Sequence, residues 1–339
     1  MRLPRLKTHS GFLLAAVLIA PAWAVDTALP GTLNYIEGQA AVGNQSLNSQ
    51  SIGSVELQPG QTLTTGIGKA EILLTPGVFL RVGDNSAVKM VSSNLTNTQA
   101  DVTKGQATVE VAEVHPYNHL QVGENGVSTQ MLKDGLYAFD ADHNQVSVLK
   151  GEALVQDNDR SVKVKGGHEL NLNQTGQLKT VKFDKKAFET SDLYRFSDLR
   201  SEYLAEANVD MARQYYAGGS GWYGPGWYWD PWFWSYTWIP GGGMFYSPFG
   251  WGYYSPWLVG YAPYYGYGLY GGYGYYGRYY AGRAVHGPMG RVPEGRAYAS
   301  LPRGGGRSFG VAGPGFRGGG LHGGGFGGGG FHGGGGAHH

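Results

Sequence analysis

AEILLTPGVFLRVG, residues 70–83, places two short apolar runs on either side of Thr75-Pro76-Gly77. Each run is rich in Ile, Leu, Val and Phe and too short for a helix, and the Pro-Gly pair punctuates them. The stretch reads as strand, turn, strand. Downstream, VSVLKGEALVQDNDRSVKVKGGHELNL (146–172) repeats the theme, with turns at Lys150-Gly151, Asp157-Asn158-Asp159 and Gly166-Gly167. Strands that recur about every 8–12 residues with turn signals between them predict a mainly β domain over 31–183, built as a sandwich, a barrel or a β-solenoid. About 150 residues suffice for one real core.

Two segments share one order of elements. GKAEILLTPGVFLRVGDNSAVKM (68–90) and NGVSTQMLKDGLYAFDADHNQVSVL (125–149) both run strand, turn, strand, polar turn, strand, and a Lys-Gly turn and a further strand follow each. Internal duplication is one reading; the other is that short strands resemble one another.

GTLNYIEGQAAV (31–42), LQPGQTLTTGIGKAEILLTPGVFLRVGDNSAVKM (57–90) and VTKGQATVEV (102–111) together resemble the FecR domain family. Pro59, Gly60, Leu63, Thr65, Gly66, Ala70, Gly77, Leu80 and Ser86 carry the resemblance, and Pro76 stands where the family usually has an acidic residue. The resemblance is strongest over 31–111 and implies an extracytoplasmic β domain at 25–189. The iron-citrate regulators that give the family its name also have a cytoplasmic N-terminal segment and a membrane helix. Neither is visible in this sequence, so what the resemblance implies is the domain and not the relay. The matching residues are turn and core types, which specify a fold more than a chemistry.

Residues 1–24 read as a signal peptide: Arg2, Arg5 and Lys7, then the apolar run 12–20, then Ala22-Trp23-Ala24. An exported protein of the periplasm or the cell surface is expected, with no later segment apolar enough to be a transmembrane helix. The chain has no cysteine, hence no disulfide, thiol nucleophile or cysteine metal site. The net charge of +1 is split: residues 217–339 hold seven arginines, no lysine and two acids, whereas residues 25–216 are acidic, with 16 Lys+Arg against 23 Asp+Glu.

TSDLYRFSDLRSEYLAEANVDMARQYY (190–216) predicts one helix, with Leu193, Phe196, Arg200, Tyr203, Ala207, Met211 and Tyr215 at three- and four-residue spacing. That stripe suits packing on the β domain or a dimer seam. The composition then changes. An aromatic Gly/Tyr/Trp-rich segment occupies 217–280 and a disordered, Gly-rich low-complexity tail 281–339, and eight of the 9 tryptophans fall between Trp222 and Trp257. Glycine carries a high ordering cost, so this segment is not expected to fold alone. WFWSYTW (232–238) is expected to form a strand with Trp232, Trp234, Tyr236 and Trp238 on one face, and MFYSPFGWGYYSPW (244–257) is its expected partner.

The functional expectation rests on this segment. Trp222, Trp227, Trp229, Trp232, Trp234, Trp238, Trp251 and Trp257, with Arg278 and Arg283, are the candidate contacts to envelope glycan, an outer-membrane surface or another copy of the chain. The alternative is an extracytoplasmic sensor or regulatory partner. Export argues against nucleic acid, although Arg-Gly-Gly-Gly occurs at 303–306 and 317–320. No enzyme, cofactor or metal site is expected. His115 and His119 are four apart but flank Pro116 in a β context, and the terminal histidines hang on glycine. Asp140, Asp142 and Asn144 begin like a calcium loop yet lack its glycine and final glutamate, which leaves a hairpin turn.

Overall fold

The structure, a computed structural model, describes residues 28–115, 117–218 and 222–263. The proposed leader, Arg278, Arg283 and the glycine-rich C-terminal stretch lie outside the described residues.

Fifteen strands form one sheet. The first seven are β1 (Leu33–Val42), β2 (Gln45–Ser46), β3 (Thr62–Leu73), β4 (Val78–Val82), β5 (Ala87–Asn94), β6 (Asn97–Lys104) and β7 (Gln106–Val111). They are followed by β8 (His119–Glu124), β9 (Val127–Met131), β10 (Gly135–Asp140), β11 (Gln145–Lys150), β12 (Glu152–Asp157), β13 (Arg160–Lys165), β14 (His168–Asn171) and β15 (Val181–Lys182). Strand β3 is the seam. Its first residues, Thr62–Thr64, pair with β5, and its last, Ala70–Leu73, pair with β4. One arm runs outward from β3 as β5, β6, β8, β9, β12 and β13; the other runs as β4, β7, β10, β11, β14 and β15. Between them the chain needs glycine. A Cβ at Gly38 would stand 2.2 Å from the Ile67 carbonyl oxygen, and one at Gly68 2.3 Å from that of Glu37. The two arms fold over one another, because Leu63, Val88, Met90 and Val122 from one share a single core with Ile72, Leu80, Val109 and Val148 from the other. The expected mainly β domain followed by a helix is therefore the observed architecture, and of the forms left open it is the folded-over, sandwich-like one.

The duplication reading meets a different result. Thr75-Pro76-Gly77 joins β3 to its hydrogen-bonded neighbour β4. The matching turn, Lys133-Asp134-Gly135, joins β9 to β10, which lie on different arms and do not pair; β9 pairs with β8 and β12 instead. The two segments share a strand pattern and not a pairing pattern.

The second half of β3, with β4 and most of β7, is buried on both faces. The inner side chains fill the sandwich. The outer ones include Leu73 opposite Phe79 and Glu71 opposite Arg81, and they need a second cover. That cover begins with α1 (Lys185–Glu189), a short helix that the sequence reading did not separate, capped by the Asp184 carboxylate. It continues with α2 (Asp192–Gly218). Lys69 holds the start of α2 through ion pairs to Asp192 at 2.5 Å and Asp84 at 3.1 Å. The buried face of α2 is wider than the expected stripe. It includes Ser197, Ser201, Leu204, Ala205, Asn208 and Ala212, whereas Tyr203 faces outward. The extra burial arises because α2 has the sheet on one side and the aromatic segment on the other.

That aromatic segment forms two hairpins, β16 (Gly226–Asp230) with β17 (Ser235–Ile239), and β18 (Met244–Tyr246) with β19 (Gly252–Tyr254). Trp227, Tyr236, Trp238 and Tyr253 join Leu73, Phe79, Ala112, Leu204 and Ala205 in a second core. Gly77 has a role beyond its positive φ of 83°, since a Cβ there would stand 3.2 Å from the Trp238 ring.

Candidate functional site

The interface between sheet, α2 and aromatic hairpins is built around a buried ionic lattice. Arg81, fully enclosed, donates from Nε to Glu71 at 2.8 Å and from Nη1 to Glu110 at 2.5 Å. Arg200 of α2 donates to the other Glu71 oxygen at 2.8 Å, and the Ser201 hydroxyl donates to Glu110 at 2.8 Å. The Arg200 guanidinium also lies 4.2 Å from the Tyr35 ring centroid. Two carboxylates and two guanidiniums thus neutralise one another out of water. Burial works against the Glu71 charge, but Arg200 and Arg81 outweigh it and hold its pKa below the usual value. At Glu110 burial wins over Arg81 and Ser201, and the pKa is raised.

Two asparagines fasten the hairpins, one to the sheet and its lattice and one to α2. Asn34 of β1 accepts from the Tyr236 N–H at 2.7 Å, donates to the Tyr236 carbonyl at 3.0 Å and donates to Glu71 at 2.9 Å. Asn208 of α2 accepts from the Tyr254 N–H at 2.8 Å and donates to the carbonyls of Trp238 at 2.8 Å and Tyr254 at 3.1 Å. Each side-chain amide stands in for a neighbouring strand, satisfying backbone groups that burial would otherwise orphan. The Thr237 hydroxyl adds a bond to the Leu204 carbonyl at 2.6 Å. The hairpins are part of the fold.

This placement sorts the candidate contacts. Trp227 and Trp238, at 4% and 0% exposure, are core residues and cannot serve as a contact surface. Trp222, Trp229 and Trp251 are half-buried. Trp251 donates from Nε1 to Asp198 at 2.9 Å. Trp232, Trp234 and Trp257 are exposed, at 68%, 58% and 67%.

The expected strand over 232–238 is shorter than read. It starts at Ser235, pairs with β16 and not with residues 244–257, and leaves Trp232 and Trp234 in the turn. The local cause is Asp230-Pro231. Pro231 has no N–H for a ladder, and the Asp230 carboxylate accepts from the N–H groups of Trp232 at 2.8 Å and Phe233 at 3.3 Å. Trp234 closes the turn with a φ of 50°, an unusual backbone for a bulky residue.

Two aromatic clusters result, one at each end of the β16–β17 hairpin. At the tip, Trp234 packs edge-on to Trp229 with ring centroids 5.7 Å apart, and Trp229 leans on Gly53 of the β body. At the root, Trp222 meets Trp257 at 6.1 Å. The signal that separates inner from outer tryptophans was available in part: Asp-Pro inside an aromatic run marks a turn. The anchoring role of Asn34 and Asn208 was missed, and an asparagine on the apolar side of a helix was its only trace.

The remaining candidates are placed as follows. His115 pairs with Glu113 at 3.5 Å. Among the described residues no cluster of metal-ligating side chains occurs, and no helix is long and apolar enough to cross a membrane. Asp140 to Gln145 closes the β10–β11 hairpin as read, with Asn144 at a φ of 55°. Glu124 is a buried carboxyl whose pKa is pushed up to about 8, by burial first and by Asp140 second, against backbone N–H groups that favour its charge. Its ordinary value is 4.5, so the folded chain holds its proton where the unfolded chain has lost it. The stability it contributes is complete below about 4.5 and is lost as pH rises through about 8. Glu124→Gln should flatten that decline. Urea midpoints of the two proteins at pH 5 and pH 9 check this, and parallel changes would refute it.

No protein-family model matches this sequence, and no curated protein matches it. Two crystal structures described as "a putative anti-sigma factor from Parabacteroides distasonis" are similar in part, each at 14% identity over 36% of this chain. Their TM-scores are 0.32 and 0.31, and the matched part spans 60% and 58% of those chains.

Proposed function

We propose that the protein is a non-enzymatic binding and scaffold module of the bacterial envelope, exported by its N-terminal leader, and that the exposed tryptophans at the tip of the β16–β17 hairpin are its contact surface. One observation carries this reading: Trp232 and Trp234 are held in solvent on a hairpin tip whose root is locked into the core. Exposed tryptophan on a flexible segment would lose much of its contact energy to ordering. Here Asp230, Pro231 and the Asn34–Tyr236 bonds have already fixed the backbone. Amphipathic rings displayed in this way suit a lipid–water interface, where an indole places its apolar body inward and its N–H toward water. A glycan face or a second copy of the chain would use the same rings by stacking.

The test uses the full-length protein in cells. Trp232→Ala with Trp234→Ala should move it from the envelope pellet to the soluble periplasmic fraction. The melting temperature should stay within about 2 °C, since exposed substitutions change stability by about 0.5 kcal/mol or less. A double variant that pellets like the parent would remove this reading.

A further inference from the structure

A cavity of about 440 Å³ lies on the outer face of the second arm, apart from the tryptophan clusters. Its floor exists because two small residues, Ala138 of β10 and Ser147 of β11, face one another across the ladder. Larger side chains surround them in register: Asp140 opposite Gln145 and Gln106, and Glu169 opposite Ser147. Phe183 and Phe188 also line the cavity, their rings 6.4 Å apart and edge-on. Ser147 is only 7% exposed, yet its hydroxyl makes no hydrogen bond within the described residues and lines the cavity. The hydroxyl is thus left to bond whatever occupies the open space beside it.

We infer that this cavity binds a small polyol, neutral or aminated, of monosaccharide size. Its volume is within the range of about 300–1,000 Å³ typical of small-molecule sites. The floor offers a hydroxyl, amides and carboxylates, which match the alternating donors and acceptors of a polyol, and the phenyl rings suit its C–H faces. Asp140, Glu169 and Asp184 line it against Lys182 alone, so anions of similar size are disfavoured. The site is independent of the exposed tryptophans, and its failure would leave the envelope reading untouched.

Isothermal titration of the full-length protein with glucosamine, glucose and gluconate tests it. The first two should bind, with gluconate at least about tenfold weaker. Ser147→Ala should weaken binding about tenfold by removing one hydrogen bond. Ala138→Leu should abolish it by filling the floor while the protein still melts cooperatively. No binding of either neutral or aminated probe at millimolar concentration overturns the proposal, as does unchanged affinity in Ser147→Ala. The serine variant decides alone if Ala138→Leu does not fold.

Discussion

Arg81→Met should destabilise the protein by about 3–5 kcal/mol, the usual consequence of removing one member of a buried ion pair. That is a large part of a typical net stability of about 5–15 kcal/mol. Arg81 lies fully enclosed between Glu71 and Glu110. Without it, Glu71 keeps Arg200 and Asn34, but Glu110 keeps only the Ser201 hydroxyl. Glu110 already sits above the usual carboxylate range because burial outweighs its partners. Deprived of Arg81 it will hold its proton to still higher pH. A carboxyl raised in the folded state stabilises below its unfolded value and ceases to do so as pH rises through its folded value. The deficit of the variant should therefore be larger at pH 8 than at pH 5. Urea denaturation followed by circular dichroism at both values measures this. Replacing Glu71, Arg81, Glu110 and Arg200 together by apolar residues should cost less than Arg81→Met alone, because no charge is then left unpaired. A loss below about 1 kcal/mol, or one equal at both pH values, would mean that water reaches the lattice.

The β domain was legible because its strands are short, apolar and separated by Gly, Pro and Asn turns, a local signal that survives without knowledge of the partner strands. The pairing was not legible. Thr75-Pro76-Gly77 and Lys133-Asp134-Gly135 look equivalent in sequence, yet one closes a hairpin and the other crosses between arms. What distinguishes them is which strand waits on the far side, a non-local fact. Glu71, Arg81 and Glu110 alternate with apolar neighbours as solvent-facing residues would, and nothing local says that a helix more than 80 residues later covers them. The aromatic segment is the sharpest case. Its glycine content says that it cannot fold alone, and it does not: the outer faces of β3 and β4 and the buried side of α2 supply a surface already built. The tryptophans inside that contact and those outside it are the same residue type in the same run, separated by Asp230-Pro231 and by the alternation of β16 and β17.

Trp238→Ala should cost about 3–5 kcal/mol, as large-to-small changes in aromatic cores do, whereas Trp232→Ala, six residues away, should stay within about 0.5 kcal/mol. Trp238 is completely buried, lies 5.2 Å from the Phe245 ring and 5.4 Å from the Tyr253 ring, and rests over Gly77. Its loss opens a cavity bounded on one side by the Thr75–Gly77 turn, which glycine geometry and a hydrogen-bonded ladder prevent from collapsing inward. Denaturant unfolding of the two variants beside the parent measures the contrast, and near-equal midpoints would return the hairpins to the status of a loose tail. The same structure determines how attachment must be tested. A chain stopped at Gly218 would uncover Leu73, Phe79, Ala112 and Leu204 at once, an apolar face of the kind that drives aggregation. Such a chain would pellet because it is sticky, and the tryptophans would be blamed or excused for the wrong reason. Only substitutions confined to Trp232 and Trp234, which leave the second core whole, separate binding by the aromatic tip from the integrity of the fold beneath it.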